Sequence, residues 1–423
     1  MTTNTSDAID AVWRIESPKL IAALTRVTRD VGLAEDLAQD ALVAALEQWP
    51  REGIPRNPGA WLMTTAKHRA IDQFRRNATL QRKTEEMGRD LEIRQDLSDD
   101  LEERFNETPD FGDDLLRLMF ISCHPILSSE ARIALTLRLL GGLKTDEIAR
   151  AFLVPEPTLA QRIVRAKAAL SQAKVAFEVP AGPELAARLS SVLEVIYLIF
   201  NEGYSATSGD DWVRPALCED ALRLGRVMAG LAPNQPEVHG LVALMEIQAS
   251  RFHARTTPIG EPILLLEQNR AQWDYLLIRR GFAALERVQA LGGMDGPYAL
   301  QAAIAACHAR ARTADDTDWQ AIAALYLKLA EVTPSPIVEL NRAVAVSMAS
   351  GPAEGLQIID RLLTSQALKS YHLLPSVRGD LLQKLERYQE ARAEFERAAA
   401  MTRNERERTL LLERAAKCAA ASV

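Results

Sequence analysis

The sequence predicts an all-α protein built from several cores. Aromatic residues make up 5% of the 423. Ala, Leu, Arg and Glu fill long stretches, without the alternating Val/Thr/Tyr runs that strands require. Pro/Gly turns punctuate these stretches at helical spacings. At about 150 residues per core, the length asks for two to four of them. With 48% apolar and 25% charged residues, the composition is globular, and a β-sandwich or doubly wound sheet is disfavoured. Cys123, Cys218, Cys307 and Cys418 lie far apart, with no C-x-x-C pair, so no disulfide framework, metal site or cofactor is expected, and a reducing cytoplasm fits best. The start of the chain lacks a basic n-region and an apolar h-region. The most apolar run, Val192 to Phe200, is too short to cross a bilayer, so neither export nor a membrane anchor is expected.

The first informative element is Val31-GLAEDLAQDALVAALEQW49. Leu37, Ala38, Ala41, Leu42 and Ala45 form an apolar face, and Asp36, Gln39, Asp40 and Glu47 fall opposite with Val43 among them. An acidic stripe carrying an apolar residue suits a basic partner helix, although such faces are often merely solvated. Next comes Gly53-IPRNPGAWLMTTAKHRAIDQFRR76, a Pro/Arg/Asn loop leading into a helix. Residues 61–83 hold six Lys/Arg against Asp72 alone. Arg56 and Asn57 at the mouth of that helix suit capture of an unstacked base, with phosphates gripped by Lys67, Arg69, Arg75 and Arg76. Trp61 and Phe74 fit core aromatics better than stacking platforms.

Residues 84–114 reverse the charge, with thirteen Asp/Glu against three Arg, and read as a poorly ordered acidic linker. Beyond it, Lys144-TDEIARAFLVPEPTLAQRIVRAKAAL170 spells two short helices around Val154-Pro-Glu-Pro157. Leu159, Ile163, Ala166 and Leu170 share one arc, and Thr158, Gln161, Arg162 and Arg165 form a stripe roughly 120° away. From Thr158 to Lys174 there are four basic residues and no acid, the charge that a recognition helix in the major groove requires. A second break falls at Glu178-VPAGP183. The last 240 or so residues read as successive helices. Two of their segments overlay with Ala353 on Gln389 and Ile359 on Phe395, an offset of about 36 residues and close to the tetratricopeptide period. Asn201-EGY204, His239, His253, Glu267 and Asp274 lack metal-ligand spacing. Such groups are expected to be buried and hydrogen-bonded, with Arg251, Arg255, Glu267 and Asp274 forming ion pairs.

In this order the acidic helix, NPGAWLMTTAKHRAIDQFRR, the acidic linker and the TLAQRIVRAKAAL helix resemble bacterial sigma factors of the extracytoplasmic-function (ECF) type over residues 1–176. The segments IYLIFNEGYSATSGDDW, ASRFHARTTPIGEPILLLEQNRAQWD, GPYALQAAIAACHARA and PSPIVELNRAVAV look like the subgroup with a C-terminal tetratricopeptide-like domain. The resemblance implies sigma region 2 over 1–83, the linker over 84–111, a region 4 helix-turn-helix over 112–177 and a TPR-like regulatory domain over 184–423. Asp36, Gln39 and Asp40 then match the surface that docks on the β′ clamp helices of core RNA polymerase, with the β flap as a second polymerase contact. Arg56, Asn57, Lys67, Arg69, Arg75 and Arg76 match the minus-10 contacts. Thr158, Gln161, Arg162, Arg165 and Lys167 match the minus-35 helix. Ala160 and Gln161 stand where the family often has Lys and Ser, so the promoter sequence is not implied.

The function expected is promoter-specific initiation by a non-enzymatic, cytoplasmic factor, with the tail acting in cis or holding a protein or peptide partner. The linker then either threads a basic polymerase channel or is an inert tether. A one-component regulator with a sensing repeat domain is the alternative, and it leaves Asp36 to Asp40 and Arg56 without a role. A repeat scaffold with no DNA partner leaves the basic helix unexplained as well.

Overall fold

The computed structural model describes residues 2–84, 111–152, 154–205, 213–257 and 261–421, with side chains described over 8–72 and, within those ranges, from 112 onward. The acidic linker expected at 84–111 lies almost wholly outside the described residues. Among these the protein is all-α, with no strand and one isolated bridge between Thr256 and Pro262. The chain forms two compact units, Met1–Val195 and Ile196–Val423.

The first unit opens with α1 (Thr2–Thr28), α2 (Val31–Glu52) and α3 (Pro58–Thr84). Arg29 turns the chain in the left-handed region (φ 54°). Asp30 then caps α2, its carboxylate accepting the Leu33 N–H at 2.9 Å, which satisfies a donor left orphaned at the helix start. Asn57 does the same for α3, accepting from Ala60 N–H at 3.1 Å. α1 packs on both partners and closes a core of Ile21, Leu24, Leu37, Ala38, Ala41, Trp49 and Leu62, all buried. Trp61 meets Trp49 edge to face, with ring centroids 5.3 Å apart, so it packs against the core as expected. Phe74 lies outside the described side chains.

α4 (Phe111–Ser122), α5 (Ser129–Leu139), α6 (Thr145–Ala151) and α7 (Glu156–Gln172) follow. α6, the turn and α7 are the expected helical hairpin. Pro157 stands in the first turn of α7, where its missing N–H costs nothing. The next helix, α8 (Pro183–Tyr204), runs from the first unit into the second. Its opening half buries Leu189, Val192 and Leu193. Arg188 donates to the Phe120 carbonyl at 3.0 Å and Ser191 Oγ to the Cys123 carbonyl at 2.7 Å. The first unit therefore continues past the Pro/Gly break at 178–183.

The second unit contains α9 (Pro215–Leu231), α10 (Pro236–Ala249), α11 (Tyr275–Ala290), α12 (Pro297–Arg310) and α13 (Trp319–Val332). It ends with α14 (Pro336–Ser350), α15 (Pro352–Leu362), α16 (Leu373–Lys384), α17 (Tyr388–Met401) and α18 (Glu405–Ala421). α10 buries residues around most of its circumference, Glu246 among them. From α12 onward each helix packs on the next, as stacked hairpins do. The helix pairs α14/α15 and α16/α17 share a register. Gly355 meets the Ala343 carbonyl, and a Cβ built on it would stand 2.7 Å from that oxygen. Thirty-six positions on, Gly379 meets the Ala391 carbonyl, at 3.2 Å from such a Cβ. Each pair thus crosses at one Ala and one Gly, in opposite order.

Between α10 and α11 the chain leaves the helical pattern for three single 3-10 turns at Phe252–Ala254, Leu265–Glu267 and Arg270–Gln272. Among the described residues Arg251, Glu267 and Asp274 form none of the ion pairs expected here. Asp274 instead caps α11, accepting from Leu276 and Leu277 N–H, and Glu267 is exposed. Arg251 lies against the Tyr204 and Trp273 rings. Backbone bonds also pin the segment, from Ile263 N–H to the Arg255 carbonyl at 2.7 Å and from Asp274 N–H to the Ser250 carbonyl at 2.8 Å.

A fragment ending at residue 180 should be markedly less stable than one ending at 205. It loses Leu189, Val192 and Leu193 from the first unit's core, each worth about 1.5–3 kcal/mol when buried. Urea melts of the two fragments measure the difference.

Candidate nucleic-acid interface

α7 sorts its residues as its periodicity requires. Leu159, Ile163, Ala166 and Leu170 are buried. Thr158, Gln161 and Arg165 are exposed, Arg162 is half-buried, and Val164 stands 63% exposed among them. A helix with one face packed and a basic, polar face open to solvent has the form that enters a major groove.

Lys167 is turned the other way. Its ammonium forms an ion pair with Glu35 of α2 and is only 18% exposed. At 100° per residue it lies roughly 170° from the middle of the outward stripe. Glu35, 3% exposed, also accepts from Arg138 Nε of α5 at 2.6 Å and from Gln39 at 2.6 Å. Burial opposes ionisation of Glu35, yet the charges of Lys167 and Arg138 outweigh it and hold the carboxyl below its ordinary value of 4.5. A second buried carboxylate acts similarly between helices. Asp114 of α4, 1% exposed, pairs with Arg26 of α1 at 3.1 Å and with Arg117 at 3.0 Å. At the rim, Arg14 meets Glu147 at 3.2 Å and Lys144 meets Asp10 at 3.1 Å. These contacts fasten α1 and α2 to α4, α5, α6 and α7.

The acidic stripe of α2 faces solvent. Asp36 and Asp40 are exposed, Gln39 is half-buried on Glu35, and Val43 and Leu46 stand beside them 49% and 44% exposed. Burial, together with the carboxylates of Glu35, Asp40 and Asp30, raises the pKa of Asp36, against the pull of Lys167. Asp40 pairs with Arg69 of α3 at 3.7 Å. Of the residues expected at the minus-10 element, Arg56 is exposed, Asn57 caps α3, and Lys67 and Arg69 are half-buried. Arg75 and Arg76 lie on α3 with side chains outside the described ones. Among the described residues no group of His, Cys, Asp and Glu could hold a metal ion, and no helix is long and apolar enough to cross a membrane.

Residues 13–79 match sigma-70 region 2, and residues 117–170 match sigma-70 region 4. The chain belongs to the ECF-like sigma factors. It carries an extra C-terminal helical domain, in which residues 188–289 match a family of unknown function, DUF6596. The chain is also 42% identical over 401 residues to an uncharacterized protein of Rhizobium meliloti (strain 1021), a match covering 94% of this chain and 92% of the relative. As a sigma factor the protein is a transcription factor rather than an enzyme, and its two sigma regions imply binding to core RNA polymerase and promoter DNA. In this sigma factor α1, α2 and α3 carry region 2, and α4 to α7 carry region 4.

Sequence reasoning missed Glu35. The available signal was its place on the rim of the apolar arc of α2, about 90° from the arc's centre, where an acid is buried only if a base reaches it.

Replacing Glu35 by Ala strands Lys167 and Arg138 and should destabilise the first unit by about 3–5 kcal/mol at pH 7. A carboxyl with a depressed folded pKa adds stability above its unfolded pKa and loses it as pH falls through the folded value. The gap between parent and Glu35→Gln should therefore narrow below about pH 4. Urea melts of the two proteins across that range check it.

Proposed function

We propose that the sigma factor directs polymerase to promoters by reading the minus-35 element with Thr158, Gln161, Arg162, Arg165 and Lys167 of α7. Asp36, Gln39 and Asp40 dock on the β′ clamp helices, with the β flap as a second polymerase contact. Arg56, Asn57, Lys67, Arg69, Arg75 and Arg76 serve the minus-10 element. The observation that carries this reading is α7 itself. Within the segment matched to region 4, it buries four apolar residues and leaves its polar, basic face open. Lys167 reaches DNA only after leaving Glu35, so a promoter-bound state differs from this one at that ion pair. A one-component regulator would leave the region 2 match at 13–79 without a role.

The second unit is read as a tetratricopeptide-like regulator acting in cis in the cytoplasm, with a protein or peptide as a possible partner. The shared 36-residue register of α14/α15 and α16/α17 supports the repeat. α8, which begins on region 4 and ends in the second unit, supports control in cis.

Replacing Arg162 and Arg165 together by Ala should cost about 1–3 kcal/mol per lost base contact and leave core polymerase binding unchanged. Run-off transcription beside a polymerase pull-down reads both. Unchanged promoter-specific transcription would sink the assignment of α7.

Asp36→Lys with Asp40→Lys should weaken association with core polymerase by several kcal/mol. The fold should survive, since the exposed Asp40–Arg69 pair is worth at most about 1 kcal/mol. The pull-down and the helical circular dichroism signal are the measurements.

A further inference from the structure

The irregular segment between α10 and α11 gathers three arginines around aromatic rings. Arg251 lies 5.7 Å from the Tyr204 ring centroid and 5.8 Å from that of Trp273. Arg255 sits 3.6 Å over Tyr204 and Arg270 4.8 Å over Trp273. Arg255 and Arg270 are buried, at 7% and 9% exposed, and Arg251 is half-buried. Arg270 has structural work, since it donates to the carbonyls of His308 and Ala311 and to Thr317 Oγ1. Arg251 has none of this kind. Among the described residues no carboxylate comes within ion-pair distance of Arg251 or Arg270.

Like charges crowded in a low dielectric are costly without a counter-charge. The neighbours register that cost. Burial first, and then the charge of Arg251, lower the pKa values of Arg255 and Arg270. Burial together with Arg251 and Arg270 brings His308 down to about 4, so its ring is neutral at pH 7. Buried Arg251 Nε, Trp273 Nε1 and His308 Nδ1 also lack hydrogen-bond partners. Trp273 is 4% exposed and His308 9%. Buried donors such as Arg251 Nε–H and Trp273 Nε1–H are normally satisfied, so their being orphaned beside uncompensated positive charge marks a place for an acceptor.

We propose that this cluster is a binding site for a small oxyanion, the carboxylate or phosphate group of a small molecule, seated at Arg251 between Tyr204 and Trp273. A guanidinium fork matches either group with paired hydrogen bonds, and Trp273 Nε1–H adds a donor that no cation competes for. Phe252, whose ring stands 5.7 Å from Tyr204, also lines a cavity of about 880 Å3 with His253, Thr256, Gln272 and Arg280. The site goes beyond the sigma assignment and is tested without polymerase.

The test titrates the full chain with inorganic phosphate and, separately, with citrate, each against sodium chloride at matched ionic strength. Melting temperature and calorimetric heat are the readouts. The expected result is a saturable rise in melting temperature with at least one anion, which names the preferred group. Arg251→Gln should remove it, and Arg251→Lys, which keeps the charge but not the fork, should weaken binding about tenfold. Should Arg251→Gln not fold, Arg251→Lys carries the comparison. No shift beyond chloride in the parent overturns the proposal. So does an equal shift in the Arg251 variants, which would place the anion on another basic surface.

Discussion

One buried carboxylate ties the sigma portion together. Glu35 takes a cation from α5 and another from α7 while standing on α2, so the packing of region 2 on region 4 depends on a charge that neither region satisfies alone. An arrangement of this kind has a specific physical character. Apolar surfaces tolerate sliding, but a desolvated carboxylate with two bases has one good position. It holds the two regions in register and gives Lys167 up only to something that offers it another anion. Nucleic-acid phosphate is such an anion, and on the proposed reading of α7 the upstream contact is held in the same place that packs the two regions together.

The two units handle buried charge in opposite ways. In the first, buried Glu35 takes two bases from other helices, and buried Asp114 takes Arg26 from α1 and Arg117 from its own helix. In the second, Arg226 meets buried Glu246 at 2.7 Å, but Arg251 is left to aromatic faces. A ring quadrupole attracts a guanidinium without neutralising it. Compensation by acids makes a joint, whereas compensation by rings leaves a residual field.

Much of this was legible in the sequence because it is periodic. The all-α class, the hairpin at 144–170 and the buried arc Leu159, Ile163, Ala166, Leu170 follow from spacing alone. The same wheel separates Lys167 from the outward stripe, and the family resemblance rather than the spacing placed it there. What was not legible involves partners distant in sequence. Glu35 and Lys167 lie on different helices, and no local pattern pairs them. The Pro/Gly run at 178–183 interrupts the helices but does not end the unit, because α8 ties its opening turns to carbonyls at the end of α4 and to Arg132 of α5, contacts that no sequence pattern advertises. The 250–274 segment defeated periodicity because single turns, one bridge and side-chain contacts hold it, none of which repeats along the sequence.

The crossings at Ala343/Gly355 and Gly379/Ala391 have a further consequence. What the two helix pairs keep in common there is a close approach, the glycine of one helix leaving no room for a Cβ against the alanine carbonyl of the other. The four helices therefore resemble two keys cut from the same blank with mirrored teeth. Set α14 against α17 and no glycine is left to allow that approach; set α16 against α15 and two glycines face each other. Interdigitated interiors penalise both errors, so the parts share a shape without being interchangeable, and each helix identifies its own partner within an otherwise repetitive stack.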